Sequence, residues 1–314
     1  MKKVFRANLY FLIIILLEIF MPKILVPIYK EIGVTDIRIA LAMNHILLFL
    51  VPATVYIILT KSSVKNTLKL NKLYFKDILL IILLAFLCQP IMSFFSIITA
   101  FFFNNEIGAF ITQINSTPYL ILLSLVALLP AITEECTIRG VVLSGYENKN
   151  MYLAAMVTGL FFGIFHLNPQ QFLYTTVLGF ILALVVRITN SIFASAIIHF
   201  IINGTSVTAS KLLNSIPQST TILEGNMDLS LRALPINEKM IMFVVYGVIA
   251  LIFATFVYMI IKKLEELNIR RGVLTEERKE IIKDKDSIIN IPFILIIVVY
   301  IAFMFYKYIN IQRN

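Results

Sequence analysis

Two adjacent glutamates lie inside an apolar stretch of the chain, with an arginine four residues beyond the second. The stretch from Leu129 to Gly140 reads LPAITEECTIRG. Neighbouring side chains on a helix point about 100° apart, so Glu134 and Glu135 cannot face one direction. Residues four apart share a face, so Glu135 and Arg139 can pair. The pair would neutralise one acid and leave Glu134 available for chemistry, with Pro130 able to kink the helix one turn earlier.

Two of the three histidines also lie in apolar stretches, each with a partner four residues away. His166 follows Phe162, and His199 precedes Asn203. The spacing of His199 and Asn203 places both on one helical face. Ionisable side chains are costly inside a bilayer, so these histidines are candidates for a functional site.

The composition predicts that these residues are carried by membrane helices. Of the 314 residues, 59% are hydrophobic and only 14% are charged, and the mean hydropathy is +0.90. Soluble domains are about half apolar and a quarter charged. A soluble enzyme, a disordered chain and a collagen-like fibre are therefore excluded, and the expected fold is an all-α polytopic membrane protein.

The net charge of +9 does not indicate nucleic-acid binding, because the basic residues cluster between apolar stretches. Such clusters are typical of cytoplasmic loops in membrane proteins. Cys88 and Cys136 both fall within apolar stretches. They imply no disulfide framework.

A membrane span needs about 20 apolar residues, which predicts eight or nine helices. The first is interrupted by Glu18, Pro22, Lys23 and Pro27, and could be kinked or partly interfacial. It lacks a small-residue cleavage site, so we interpret it as a retained helix, not a signal peptide. The stretches are 8–28, 38–60, 77–103, 118–145, 151–168, 170–189, 191–212, 239–262 and 288–307.

The loop charges predict the orientation. Loops 61–76 and 262–287 are rich in Lys and Arg and should be cytoplasmic, whereas 104–117 and 168–170 have neither and should be outside. The N-terminus is then cytoplasmic. Loop 213–238, with Pro217 and Pro235, is then extracellular, and the mixed charges of 262–287 are typical of a solvated helical face.

The polar residues of the three motifs are predicted to lie at a similar depth in the membrane. At about 1.5 Å per residue, Glu134 lies roughly 16–20 Å, His166 roughly 16–22 Å and His199 roughly 12 Å from the cytoplasmic ends of their helices. All three fall in the middle of a hydrocarbon core of about 30 Å. Three antiparallel helices could therefore form one polar cavity open to the cytoplasm.

Each of these features also has a structural interpretation. A lone Glu–Arg pair or intramembrane histidine often only packs or bridges helices, but together, in a chain with so few charges, they favour a site. We interpret His45, beside Asn44, as a packing residue. Cys136 is interpreted in the same way, and Glu18 as an interfacial or helix-pairing acid.

The three motifs resemble those of the CPBP intramembrane protease family, which includes type II CAAX prenyl proteases and bacteriocin-processing or self-immunity (Abi) proteins. That family carries Glu-Glu-x-x-x-Arg, Phe-x-x-x-His and His-x-x-x-Asn in this order. Here they begin at Glu134, Phe162 and His199. The resemblance covers about 90 residues, 118–205, and implies an all-helical fold with peptide-bond hydrolysis in a polar cavity.

The resemblance also implies a role for each motif residue. Glu134 would activate water with His166, and His199 and Asn203 would stabilise the oxyanion. Glu135, Arg139 and Phe162 would support the site. His166, His199 and Glu134 also form a His₂Glu set, a known composition of catalytic zinc sites. A mechanism without a metal is preferred, with zinc as the alternative, because Asn203 is a poor zinc ligand and a natural oxyanion donor.

The sequence leaves three functions open. The first is an intramembrane endopeptidase acting on a membrane-associated peptide, by CAAX-type processing, peptide maturation or bacteriocin self-immunity. The second is a non-enzymatic scaffold or immunity protein. The third is a proton-coupled transporter, although no internal repeat is found. The expected partners are a peptide substrate and the lipid bilayer, in a bacterial plasma membrane.

We divide the chain into three parts. Residues 1–117 supply N-terminal membrane helices, 118–205 the catalytic core, and 206–314 C-terminal loops and helices.

Overall fold

Nine successive apolar helices form the part of the chain that the structure describes. The structure, a computed structural model, describes residues 2–214, 231–275 and 286–313. Short helices Val64–Thr67 and Glu106–Gln113 lie in two of the connections. The nine helices are α1 Lys3–Glu31, α2 Ile37–Leu59, α3 Phe75–Ala100, α4 Tyr119–Gly145, α5 Met151–Phe165, α6 Pro169–Thr189, α7 Ile192–Asn214, α8 Ile236–Arg270 and α9 Ile291–Arg313.

These helices confirm the predicted all-α polytopic membrane fold. Seven of them are long and apolar enough to cross a membrane, whereas α5 and the apolar part of α9, Ile291–Lys307, are shorter. Many large apolar side chains on α8 face outward, where a soluble protein would place polar ones. The predicted orientation, with a cytoplasmic N-terminus, and the three-part division of the chain stay predictions.

Helices α1 and α8 are both longer than predicted. α1 runs without interruption through Pro22 and Pro27 to Glu31, so it is not broken within 8–28. α8 does not end at residue 262 but continues to Arg270. Its last turns carry the ion pairs Lys262–Glu265 and Lys263–Glu266, three residues apart, which stabilise a helix. The charged run 276–280 and Pro217 lie outside the described residues.

The fifth helix is shorter than predicted, which puts His166 at its end. α5 ends at Phe165, not at residue 168, and His166 is its C-cap residue. Asn168 precedes Pro169, a position that disfavours helical backbone. The Asn168 side chain instead accepts hydrogen bonds from the backbone N–H groups of Gln170 and Gln171 and so begins α6.

Helices α2 and α4 contain π-helical turns. In α2 the turn covers Ile46–Leu50, and in α4 two turns cover Ser124–Leu128 and Cys136–Val142. The π-helical turn of α2 ends two residues before Pro52, and the first π-helical turn of α4 ends two residues before Pro130. A proline has no N–H for the carbonyl four residues earlier and its ring crowds that carbonyl, so widening the helix accommodates it. Such turns are frequent at functional sites.

Glycines bring α5 and α6 into close contact. A Cβ atom at Gly159 would lie 2.7 Å from the Phe180 backbone nitrogen, and one at Gly163 would lie 2.0 Å from Thr176 Oγ1. The two glycines are four residues apart, the small-residue spacing that lets membrane helices approach closely. Their contact fixes α5, the helix that carries Phe162 and has His166 as its C-cap residue.

Buried polar contacts join several loops to the ends of the helices. Arg187 donates hydrogen bonds to the carbonyls of Tyr146, Glu147 and Lys149 at 3.1–3.2 Å, and Lys69 Nζ lies 3.1 Å from Glu147 Oε1. Further along, Arg271 pairs with Asp77 at 2.8 Å, and Asp286 Oδ2 accepts from the Val4 backbone N–H at 2.8 Å. We call these residues the loop belt: Lys69, Asp77, Glu147, Lys149, Arg187, Arg271 and Asp286.

Candidate functional site

The second glutamate of the pair is neutralised as predicted. Arg139 Nη1 lies 3.0 Å from Glu135 Oε1, and both side chains have no exposed surface. A buried charge is tolerated only when it is paired and hydrogen-bonded. The two residues are one turn apart on α4, so this ion pair forms within a single helix.

His199 of α7 lies between the two glutamates. Its Nδ1 donates to Glu135 Oε1 at 2.8 Å, while its Nε2 lies 3.9 Å from Glu134 Oε2. Arg139 and His199 therefore both bind Glu135 at the same oxygen, Oε1. A carboxylate on Nδ1 fixes the orientation of an imidazole and stabilises its protonated form.

Glu134 has fewer partners than Glu135. Glu135 is bonded at Oε1 by Arg139 and His199, whereas the one ion-pair contact of Glu134 among the described residues is the 3.9 Å approach of His199 Nε2. The Oε2 atoms of both glutamates are buried without a hydrogen-bond partner in the part of the chain that the structure describes, and the Glu134 side chain is 12% exposed. Leaving a buried carboxylate oxygen without a partner is costly, and such groups in a native structure call for an explanation such as a catalytic role.

Phe162 contacts three of the motif side chains. The Arg139 guanidinium lies 4.1 Å from the centre of its ring, and His166 and His199 meet the ring edge-on at 4.8 and 5.7 Å. His166 Nδ1 lies 2.8 Å from the Phe162 carbonyl oxygen. A carbonyl only accepts, so His166 donates from Nδ1 and, when neutral, keeps a lone pair on Nε2.

Asn203 fills the gap that Pro130 leaves in α4. Its Nδ2 donates to the Val126 carbonyl at 3.1 Å. Val126 precedes Pro130 by four residues, so its carbonyl has no helical N–H to bind. An amide nitrogen carries two N–H groups, and one remains for another acceptor. The assigned role of Asn203 as an oxyanion donor stays a prediction.

The structure also brings two residues to this site that the sequence did not assign to it. His45 Nδ1 lies 2.9 Å from Thr133 Oγ1, one residue before Glu134. Glu18 of α1 lies near enough to Glu134 for their charges to interact, and its Oε2 has no hydrogen-bond partner in the described part of the chain. The sequence did contain a signal for both residues. Ionisable residues are rare in membrane spans, and this argument applies to His45 and Glu18 as much as to the motif residues.

The predicted metal donors are only partly brought together. Within the residues that the structure describes, no three His, Cys, Asp or Glu side chains are grouped as ligands of one ion. Of the set Glu134, His166 and His199, the first and last are close. Both histidines donate from Nδ1 to acceptors of the protein and present Nε2, as metal-binding histidines commonly do. Zinc as the alternative to a metal-free mechanism stays a prediction.

Comparison with known proteins identifies the region that holds these residues. No curated protein and no solved structure matches the chain. A family model does match, that of "Type II CAAX prenyl endopeptidase Rce1-like" proteins, over residues 116–205. The matched segment contains all three motifs, in agreement with the resemblance seen in the sequence. Residues 116–205 of this membrane protein are therefore similar to the Rce1-like family, as the three motifs predicted.

Proposed function

We propose that the protein is an intramembrane endopeptidase in which Glu134 activates the attacking water. The observation that carries the proposal is the position of Glu134 Oε2, which is buried, unbonded among the described residues, and 3.9 Å from an imidazole anchored on Glu135. The family match supports a CAAX-type intramembrane protease at the level of the family.

In the first step a water molecule attacks the carbonyl carbon of the substrate. The water gives one proton to the Glu134 carboxylate, whose buried Oε2 has no competing hydrogen bond in the described structure. His166 can accept the second hydrogen bond of that water at Nε2, because its Nδ1 proton is held by the Phe162 carbonyl. Two acceptors on one water orient its lone pair for attack.

The attack places negative charge on the former carbonyl oxygen. His199 can stabilise that charge when it is protonated, since Nδ1–H donates to Glu135 and Nε2–H then points away from that pair. Glu135 and Arg139 hold the imidazole in place. Asn203 adds its remaining N–H. Donors of this kind contribute roughly 3 kcal/mol each to transition-state stabilisation.

In the second step the carbon–nitrogen bond breaks. The protonated Glu134 returns its proton to the leaving amine, and the second product carries the new carboxylate. The same carboxyl group thus acts first as a base and then as an acid. The balance is one water consumed for one peptide bond broken, with no net change in the protein.

We propose as substrate a peptide or protein segment associated with the membrane, in a bacterial plasma membrane. CAAX-type processing, maturation of a secreted peptide and bacteriocin self-immunity all use this chemistry. The same site residues would act in all three cases, so these residues do not distinguish between the three kinds of substrate.

The test compares the wild-type protein with Glu134→Gln, in detergent or lipid, on a library of lipidated and unlipidated peptides read by mass spectrometry. We expect cleavage by the wild type and a loss of about 10²–10⁴-fold in the variant. Glu31→Gln, at an exposed glutamate at the end of α1, is the matched control and should cleave normally.

Two further outcomes would change the proposal. Loss of activity on zinc chelation, restored by zinc, would overturn the metal-free mechanism. No cleavage by a folded wild-type sample would favour the scaffold, and proton-coupled uptake into vesicles abolished by Glu134→Gln would favour the transporter.

A further inference from the structure

His45 is linked to the candidate site although it lies on a different helix and outside the three motifs. It stands in α2, outside the matched segment 116–205. Its ring is half-buried, and its Nδ1 lies 2.9 Å from Thr133 Oγ1 on α4. Thr133 is fully buried and adjoins Glu134. A bond between α2 and this residue acts on the turn that presents the proposed base.

The hydrogen bonds of Thr133 determine which ring nitrogen of His45 carries the proton. Thr133 Oγ1 lies 3.0 Å from the Leu129 carbonyl as well as 2.9 Å from His45 Nδ1. A hydroxyl has one proton and a carbonyl only accepts, so the Thr133 proton goes to Leu129. His45 must then donate from Nδ1. This is the state that the Phe162 carbonyl imposes on His166.

The backbone around His45 resembles the backbone around the glutamate pair. A π-helical turn, Ile46–Leu50, starts directly after His45, as the turn Cys136–Val142 starts directly after Glu135. These are two of the three π-helical turns in the described residues. A π turn shifts the side chains after it around the helix and is maintained only where the surroundings favour it.

Aromatic contacts connect His45 to His166 as well. The His45 ring meets Phe49 edge-on at 5.3 Å, Phe49 lies 5.0 Å from Phe165, and Phe165 lies 5.8 Å from His166. At the neighbouring residue of α2, Tyr29 donates to Asn44 Oδ1 at 2.8 Å and ties this segment to α1. The segment that carries His45 is thus fixed by contacts with several helices, as the support of a functional site requires.

We propose that His45 is a positioning residue of the site, which fixes the turn bearing Glu134 by donating from Nδ1 to Thr133. The inference rests on the proposed function for its catalytic consequence. The bond itself does not depend on which reaction the site performs.

The first experiment detects the bond without measuring activity. The protein is labelled with histidine carrying a heavy nitrogen isotope at both ring positions, and its three histidines are assigned by single replacements. We expect His45 to show a proton on Nδ1 in the wild type and in Thr133→Ser, which keeps the hydroxyl. In Thr133→Val, which removes it at nearly equal volume, the His45 resonances should move. Unchanged His45 resonances in Thr133→Val would overturn the proposal.

The second experiment measures kcat and KM for peptide cleavage. Thr133→Val and His45→Leu should each lower kcat by about tenfold with little change in KM, since they displace the base and not the substrate. The double variant should lose no more than either single one, because both remove the same bond. His45→Asn, which keeps an N–H donor near the position of Nδ1, should recover most of the activity, and Thr133→Ser should behave as wild type.

The outcomes separate this inference from the proposed function. If the wild type cleaves nothing, the proposed function fails, and the resonance experiment still decides the bond. If cleavage occurs but the single losses multiply to about a hundredfold in the double variant, His45 and Thr133 act independently and the proposal is wrong. Thermal unfolding of each variant identifies any that fail to fold, in which case Thr133→Ser and His45→Asn carry the comparison.

Discussion

The candidate site and the loop belt both bury charged groups, but they satisfy them differently. In the loop belt Arg187 binds three carbonyls and Asp77 binds Arg271, so each charge is balanced where it lies. In the site, Glu135 is bonded at Oε1 by Arg139 and His199, while Glu134 beside it has no ion-pair partner nearer than 3.9 Å among the described residues. The Oε2 atoms of both glutamates lack a hydrogen bond in the described part of the chain, so the two acids differ in their charge pairing.

The comparison shows how a buried charge can be assigned to structure or to chemistry. A buried charge held by an opposite charge or by several hydrogen bonds belongs to the structure, and breaking those contacts costs stability. A buried charge without close partners costs stability while it is present, so its retention points to function. Substitutions in the site should therefore affect mainly catalysis, and substitutions in the loop belt mainly stability. The size of the expected effect decreases from the site to the loop belt.

The largest effect is expected at Glu134. Glu134→Gln should reduce cleavage by about 10²–10⁴-fold while the melting temperature stays unchanged or rises, because an unpartnered buried carboxylate is replaced by a neutral group. Peptide cleavage and thermal unfolding of the same sample measure both. A clear fall in melting temperature would place Glu134 with the structural charges and break the comparison.

The next effect is expected at Arg139. Arg139→Leu should destabilise the protein by about 3–5 kcal/mol, because it leaves the Glu135 carboxylate buried without its ion-pair partner. The double variant Glu135→Gln with Arg139→Leu should regain much of that stability but little activity, since His199 then loses the carboxylate that orients it. Denaturation of both variants in the same detergent checks this. Equal stability of the single and double variants would contradict it.

A smaller effect on stability, and almost none on chemistry, is expected in the loop belt. Arg187→Met should lower the free energy of unfolding by about 2–3 kcal/mol, because three carbonyls lose a charged donor. The kcat of the folded fraction should stay near that of the wild type. A loss of kcat as large as that of Glu134→Gln would show that the belt takes part in the reaction.

The smallest effect is expected at the pair Lys69–Glu147, in which the lysine is buried but the glutamate side chain is 43% exposed. Lys69→Met should cost less than about 1 kcal/mol near neutral pH, since solvent screens such a pair. Burial acts to raise the pKa of Glu147, but Lys69 and then Arg187 bring it below its ordinary value of 4.5. A carboxyl whose pKa is lower in the folded state adds stability above its unfolded pKa and loses it as pH falls through the folded one.

The pH dependence of melting therefore tests this pair. Below pH 4.5 the wild type should lose the contribution of Glu147, whereas Lys69→Met should lose less over the same interval. Melting curves between neutral and acidic pH measure the difference. Parallel curves for the two proteins would show that the pair adds no stability.

Much of the fold and part of the site follow from the amino-acid sequence alone. The composition and the long apolar stretches identify a polytopic helical protein because only helices satisfy their own backbone groups in lipid. The four-residue spacing of Glu135 and Arg139 predicts their ion pair because both lie on one helix. The three motifs indicate the family because their order and spacing are carried by the chain itself.

Contacts between helices could be decided only by the tertiary structure. Hydropathy does not mark where α5 ends or where α4 widens, since both depend on local backbone bonds at Pro169 and Pro130. His45 has no motif partner in the sequence, so its bond to Thr133, 88 residues away, is set only by how α2 packs on α4. The sequence by itself determined which charges enter the membrane and which of them can pair along one helix. The packing of separate helices decided which charges are balanced across the fold, because that depends on distances that no local spacing encodes.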